Sequence, residues 1–222
     1  MQALLDNFDR VLQAFWMIIR LTTASGVVAL VLGTLLAAMR VSPVPVLRTI
    51  GTGYVNIFRN TPLTLILYFC WFGLFSNLGV QFSGNQDRNN FWLAVVGLAV
   101  YTAAFVCEAL RSGVQTVPLG QAEAARAIGL TFVQNLRLIV LPQAVRAVVA
   151  PLGSLLIALT KNATIAGTIG VAETANLMKD LINDNGSQTM GIFLGFAAGF
   201  LVLTLPTGYF FGWLARRVAV HR

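Results

Sequence analysis

A chain of 222 residues that is 57% hydrophobic and 10% charged, with a mean hydropathy of +0.76, lies outside the range of soluble domains, which are roughly 45–50% apolar and about 25% charged. Its 15 Lys and Arg against 8 Asp and Glu, a net charge of +7, form no basic stripe with interleaved aromatics, so a nucleic-acid partner is excluded. The composition is that of an all-α integral membrane protein in a lipid bilayer.

A helix needs about 20 apolar residues to cross a hydrocarbon core of roughly 30 Å. Five blocks of the sequence qualify. The first is 21–39, preceded by apolar residues 11–19 that end at Arg20, whose guanidinium is expected to snorkel to an interface. Asp6 and Asp9 stand where a secretory signal carries positive charge, so no cleaved leader is expected. The second block, 63–80, starts just after Pro62, a residue suited to a first helical turn because it lacks an N–H that would be orphaned there. The third is 91–110, the fourth 148–171 and the fifth 190–214. Gly191, Gly195 and Gly199 repeat every four residues on the fifth and predict close helix packing.

Charge sets the orientation. An odd number of spans puts the termini on opposite sides. One set of polar segments (the N-terminus, 81–90 and 172–189) carries three bases against six acids, and the other carries ten arginines against Glu108 and Glu123. Lys and Arg mark cytoplasmic loops, so the N-terminus is expected outside and the C-terminus inside. Residues 173–185 read equally as an amphipathic outer helix or as a solvated loop.

Catalytic chemistry is sparse. His221 is a lone histidine at the C-terminal tail, and Cys70 and Cys107 fall inside apolar runs, where cysteine behaves as a small hydrophobe. Neither has metal-ligand neighbours, and the two lysines follow Thr160 and Met178, so the Gly-Lys of a phosphate-binding loop is missing. No cofactor, no metal and no enzymatic activity are expected. Energy would have to come from a nucleotide held elsewhere.

Between the third and fourth spans lies a polar stretch, "GQAEAARAIGLTFVQNLRLIVLPQAV". Pro118 can open a short helix over 121–128, and Gly129 suits a left-handed cap. Thr131 with Gln134 makes a capping box for a second helix, which presents Phe132, Leu136, Ile139 and Val140 on one face and ends before Pro142. The expectation is a helix-turn-helix on the cytoplasmic membrane surface.

The residues Glu123-Ala124-Ala125, then Gly129, then Ile139, Leu141 and Pro142 resemble the Glu-Ala-Ala signature of the membrane subunits of bacterial ATP-binding-cassette (ABC) importers. The likeness runs along nearly the whole chain. "VNIFRNTPLTL" is similar to the segment before the second span in the polar amino acid branch, with Asn60 in place of that branch's glycine. "YTAAFVCEALRSGVQTVPLGQ", with Glu108 and Arg111, resembles the lead into its signature.

The resemblance implies a type I ABC importer permease fold of five transmembrane helices, in one domain over 1–222, in the bacterial cell membrane. It implies a cytoplasmic coupling loop at about 111–147, whose helix seats in a cytosolic ABC ATPase subunit. In that helix Ala124 and Ala125 allow close approach, Glu123 and Arg126 offer charge pairing, and Gly129 permits the sharp exit, with Leu141 and Pro142 closing the motif. A second permease subunit, with a heterodimer favoured over a homodimer, and an extracytoplasmic solute-binding protein delivering amino acid would complete the transporter.

Lys161 falls within the fourth span, with Thr164 and Thr168 at i+3 and i+7, on one helical face. An ammonium at that depth needs a partner or a wet cavity. These three residues are candidates for the substrate path, with a structural pairing of Lys161 as the plainer reading. "LTKNATIAGTIGVAE" is most similar to glutamate uptake permeases, so a glutamate-like acidic substrate is expected. The alternative is a self-sufficient channel or secondary transporter, but no internal repeat is visible, and Glu108, the one carboxylate near a span, reads as an ion pair with Arg111 one turn away. A membrane scaffold would not require so complete a motif.

Overall fold

The computed structural model describes residues 2–218; His221 and Arg222, and the side chains of Ala122 and Phe132, lie outside the described residues. Among the described residues the chain is helical, with no strand. A short α1 (Gln2–Asp6) leads into α2 (Phe8–Val41), so the two apolar runs around Arg20 form one helix of 34 residues. Ala14, Ile18, Leu21, Ser25, Ala29, Gly33 and Leu36 recur every three or four residues along α2 and are buried, a single stripe turned toward the bundle. Arg20 is exposed and lies over the Phe91 ring, 5.0 Å from its centroid.

α3 (Pro45–Asn60) was not anticipated from the sequence. Its mean hydropathy is too low for a span, yet its apolar residues share one face, and Gly51 and Val55 are buried. The chain breaks at Thr61 and Pro62, then resumes as α4 (Leu63–Tyr68), which widens into a π-helical stretch, Phe69–Asn77. The second block is therefore an apolar helix of Leu63–Asn77, shorter than expected.

The centre of the bundle is α5 (Gln86–Gln115), capped by the Asn85 side chain accepting from Arg88 N at 3.0 Å. Leu93, Leu98, Ala99, Ala103 and Ala104 are fully buried, because α5 packs on α2, α3 and α4 at once. Then follow α6 (Leu119–Ala127), α7 (Phe132–Asn135), a π stretch Leu136–Val140, α8 (Leu141–Asn162) and a 3-10 segment Ala163–Ile169 that ends on Gly170 at φ +80°. Finally come α9 (Thr174–Asp184) and α10 (Thr189–Val218). Residues 173–185 are thus a capped amphipathic helix rather than a loop.

Contacts fix the running directions. Residues 20, 33 and 40 of α2 meet 91, 103–106 and 108 of α5 in the same order, so these helices are parallel. Gly113 meets Val148, while the Asn90 side chain donates to the Gly170 carbonyl at 3.5 Å, so α8 runs opposite to α5. Gly153 faces Phe211 and Gly208 faces Ile157, so α10 reverses again. Of the α10 glycine repeat, Gly195 receives Leu4 and Gly199 receives Phe15, which is ordinary close packing.

Four helices are long and apolar enough to cross a membrane among the described residues: Phe8–Val41, Gln86–Gln115, Val133–Ile169 and Gly186–Val218.

Candidate coupling segment and polar residues of the spans

After α5, the Thr116 hydroxyl donates to the Gly113 carbonyl at 2.7 Å and Pro118 occupies the cap position of α6. α6 ends in two backbone bonds, Gly129 N to Arg126 O at 3.0 Å and Leu130 N to Ala125 O at 3.1 Å, which close the carbonyls of its last turn. That closure needs φ +88° at residue 129, which an L side chain resists and glycine adopts freely. Two residues later the anticipated capping box forms: Thr131 N donates to Gln134 Oε1 at 2.9 Å, and Gln134 N to Thr131 Oγ1 at 3.4 Å.

The helix begun there does not end before Pro142. It runs on through the π stretch into α8, with Pro142 in the first turn of α8. Proline removes one donor from the ladder, and shifting to wider π bonding just before it lets the helix pass the ring without a break. Gln143 then ties the two arms together, its side-chain nitrogen donating to Gln121 Oε1 at 2.7 Å and to the Ile139 carbonyl at 2.8 Å.

Within α6, Ala125 packs inward at 5% exposure, while Glu123, Ala124 and Arg126 face out. Glu123 and Arg126 make no hydrogen bond or ion pair among the described residues. Leu119 and Ile128, each 80% exposed, flank them. This short helix thus presents charges of both signs beside bare apolar side chains. The two apolar residues escaped the sequence reading because exposure depends on how α6 is tilted. Leu141 and Pro142 are exposed too, and a hollow of about 440 Å³ lies between Ala124, Ile128, Leu130 and Pro142.

Glu108 is not paired with Arg111. Its carboxylate receives Arg40 from α2 and Arg59 from α3, the latter at 3.2 Å, with Arg40 partly buried and Arg59 half exposed. One acidic residue thus holds three helices together. Tyr54 of α3 adds a second tie, its hydroxyl donating to the Val100 carbonyl at 2.8 Å.

Lys161 is exposed in the isolated chain and lines a hollow of about 450 Å³ between α8 and α10, with Ile157, Thr204, Tyr209 and Arg216. It makes no ion pair among the described residues. The Thr164 hydroxyl donates to the Lys161 carbonyl at 2.8 Å and that of Thr168 to the Ile165 carbonyl at 2.7 Å. The chain is 3-10 from 163 to 169, and at about 120° per residue Thr168 is turned about 120° from Thr164. The expected single face holds for Lys161 and Thr164 only.

At the other end of the bundle Glu173 caps α9, accepting from Ala175 N at 2.7 Å, Asn176 N at 3.0 Å and the Thr174 hydroxyl at 3.1 Å. It is fully buried, and burial pushes its carboxyl above the usual carboxylate range despite those three donors. Gly167 makes the room: a Cβ there would run into the Glu173 carboxylate. No group of three or more His, Cys, Asp or Glu placed to hold a metal occurs among the described residues.

Residues 29–220 match the family described as the binding-protein-dependent transport system inner membrane component. The chain is 52% identical to glutamate transport system permease proteins GluC of Corynebacterium efficiens and Corynebacterium glutamicum, covering 98% of this chain and 97% of each relative. Its fold superposes on a crystal structure of an amino acid ABC transporter with histidines at a TM-score of 0.87, 26% identity and 97% coverage of both chains.

Proposed function

This chain belongs to the family of binding-protein-dependent transport system inner membrane components, and from that premise we propose that it forms the path by which an ATP-driven importer carries glutamate across the cell membrane. The observation that carries the reading is α6, with Glu123 and Arg126 at its surface and unpaired among the described residues, in a chain similar end to end to glutamate permeases.

The chain crosses the membrane five times in this reading. Parallel α2 and α5 require the chain to return between them, and α3 with α4, broken at Pro62, is the segment available for that crossing. The antiparallel turns into α8 and α10 supply the fourth and fifth. The N-terminus lies outside, because the ten-arginine set then faces the cytoplasm.

ATP is hydrolysed by separate subunits. Closure of their dimer draws in α6 of this chain and of a second, different permease, through Glu123, Ala124, Arg126 and the Gly129 exit. Ala125 packs inward, and Leu141 and Pro142 form the first turn of α8 at the end of the coupling loop. The helix from 132 onward is continuous into α8, so displacement of α6 reaches Lys161, about 30 Å away at 1.5 Å per residue from Leu141. An extracytoplasmic binding protein delivers glutamate, and the Lys161 ammonium, with Thr164 on the same face, receives a carboxylate.

The test is flux. Reconstituted with its ATPase, partner permease and binding protein, the chain imports glutamate only with ATP. Lys161→Met lowers that flux about tenfold, near the low end of a charge-assisted hydrogen bond of about 1.5–3 kcal/mol, with the binding protein's own affinity unchanged. Wild-type flux with Met at 161 would remove Lys161 from the path. Import confined to cationic amino acids would overturn the substrate.

A further inference from the structure

The seam between α2 and α8, floored by α5, contains two hollows in line. The first, about 200 Å³, lies among Ala37, Ala38, Leu110, Arg111, Ala144 and Val148. The second, about 350 Å³, continues past Gly26, Ala29, Val106, Leu152 and Leu156. From Leu141 to Leu159 the α8 wall covers about 27 Å at 1.5 Å per residue, close to the roughly 30 Å of a hydrocarbon core. The small residues of α2 keep the slot open.

Arg111 is the single charged residue lining either hollow. Glu108, one turn earlier, is already held by Arg40 and Arg59. Arg111 is half-buried and has no hydrogen bond or ion pair among the described residues. The one other polar residue of that hollow, Thr34, has its hydroxyl committed to the Leu30 carbonyl at 2.7 Å. A guanidinium against apolar walls calls for an anion, and its planar fork matches two phosphate oxygens.

Outside the slot, Val31 and Leu35 of α2 are each more than half exposed, an apolar face of the kind that meets lipid chains. A helix about 10 Å across does not fit hollows of this size, which argues against a second copy of the chain.

We propose that the α2/α8 slot is a binding site for one anionic phospholipid, its phosphate on Arg111 and one acyl chain laid along the slot. Assigning it to the cytoplasmic leaflet, where anionic lipids concentrate, rests on the orientation proposed above.

The experiment is photolabelling of the assembled transporter in nanodiscs, with a diazirine on the acyl chain of phosphatidylglycerol or phosphatidylcholine and sites mapped by mass spectrometry. Phosphatidylglycerol is expected to label 34–41 and 141–156 at least fivefold more than phosphatidylcholine. Arg111→Gln brings the two to the same level, and Arg111→Lys keeps the preference. Labelling around the exposed Val202 of α10 reports whether each variant is folded, and Arg111→Lys decides if the glutamine variant is not. Equal labelling by both lipids in the wild type overturns the site, as does a preference that survives Arg111→Gln. A disulfide between copies through Thr34→Cys would show that protein covers the seam instead. The readout needs neither ATP nor amino acid, so its failure leaves the transport reading standing, and failure of transport leaves the labelling interpretable.

Discussion

Replacing Glu108 with Gln tests the three-helix junction. In the folded chain the Arg40 side chain is 9% exposed, and its partner is the Glu108 carboxylate, which also accepts Arg59 at 3.2 Å. Without that carboxylate Arg59, 46% exposed, swings into solvent at little cost, since exposed pairs contribute about 0–1 kcal/mol. Arg40 has no such exit, but Glu108 is 31% exposed, so the part-buried pair lies between the exposed case and a fully buried one, where removing one partner costs about 3–5 kcal/mol. An intermediate cost of about 2 kcal/mol lowers Tm by roughly 4–8 °C for a chain of this length. Thermal melts of the purified chain in one detergent measure it, with Arg40→Ala and Arg59→Ala alongside. The expected order of damage is Glu108→Gln first, Arg40→Ala close behind and Arg59→Ala small. Replacing the pair together, Arg40→Met with Glu108→Leu, recovers most of the loss because no unpaired charge remains. A Glu108→Gln melt within 2 °C of wild type, an estimate on the same scale, or Arg59→Ala as the worst variant, would refute the reasoning.

Three further outcomes are expected. Glu123→Lys reverses a free charge on α6, and Gly129→Asp forces an L side chain into φ +88° at a cost of about 1–2 kcal/mol; each should abolish ATP-dependent uptake and weaken ATPase co-purification, while insertion, read by membrane fractionation, stays normal. In a background lacking Cys70 and Cys107, cysteines at Gln86 and Asn183 should react with an impermeant thiol reagent from outside intact cells and cysteines at Val44 and Gln121 should not; the reverse pattern inverts the topology. Glu173 holds its proton more tightly folded than unfolded, because burial raises its carboxyl above 4.5. Its contribution to stability is therefore complete below pH 4.5 and fades as pH rises through the elevated value. The melting-temperature advantage of wild type over Glu173→Gln should shrink across that window; a constant difference would mean that the side chain does not titrate there.

The sequence by itself determined what depends on short range. Apolar length marked the long spans, because a hydrocarbon core imposes the same requirement on any helix that crosses it. The Gly129 exit and the Thr131–Gln134 box were legible because a helix end is satisfied by residues within one turn of it. Glu108 shows where that reach stops. Sequence spacing suggested Arg111 at i+3, but the partners lie 68 residues away on α2 and 49 away on α3, chosen by which helices stack against α5. α3 was missed because its apolar residues share one face of an otherwise polar helix, a pattern that hydropathy averages away; only part of that helix, at Gly51 and Val55, is buried in the bundle. The same packing decided that α8 passes through Pro142, that residues 163–169 tighten to a 3-10 turn over the Glu173 cap, and that Thr168 leaves the face of Lys161. Charges, caps and helix lengths are properties of a few neighbouring residues; which charge meets which, and which face stays open, arise only when separate helices share one core.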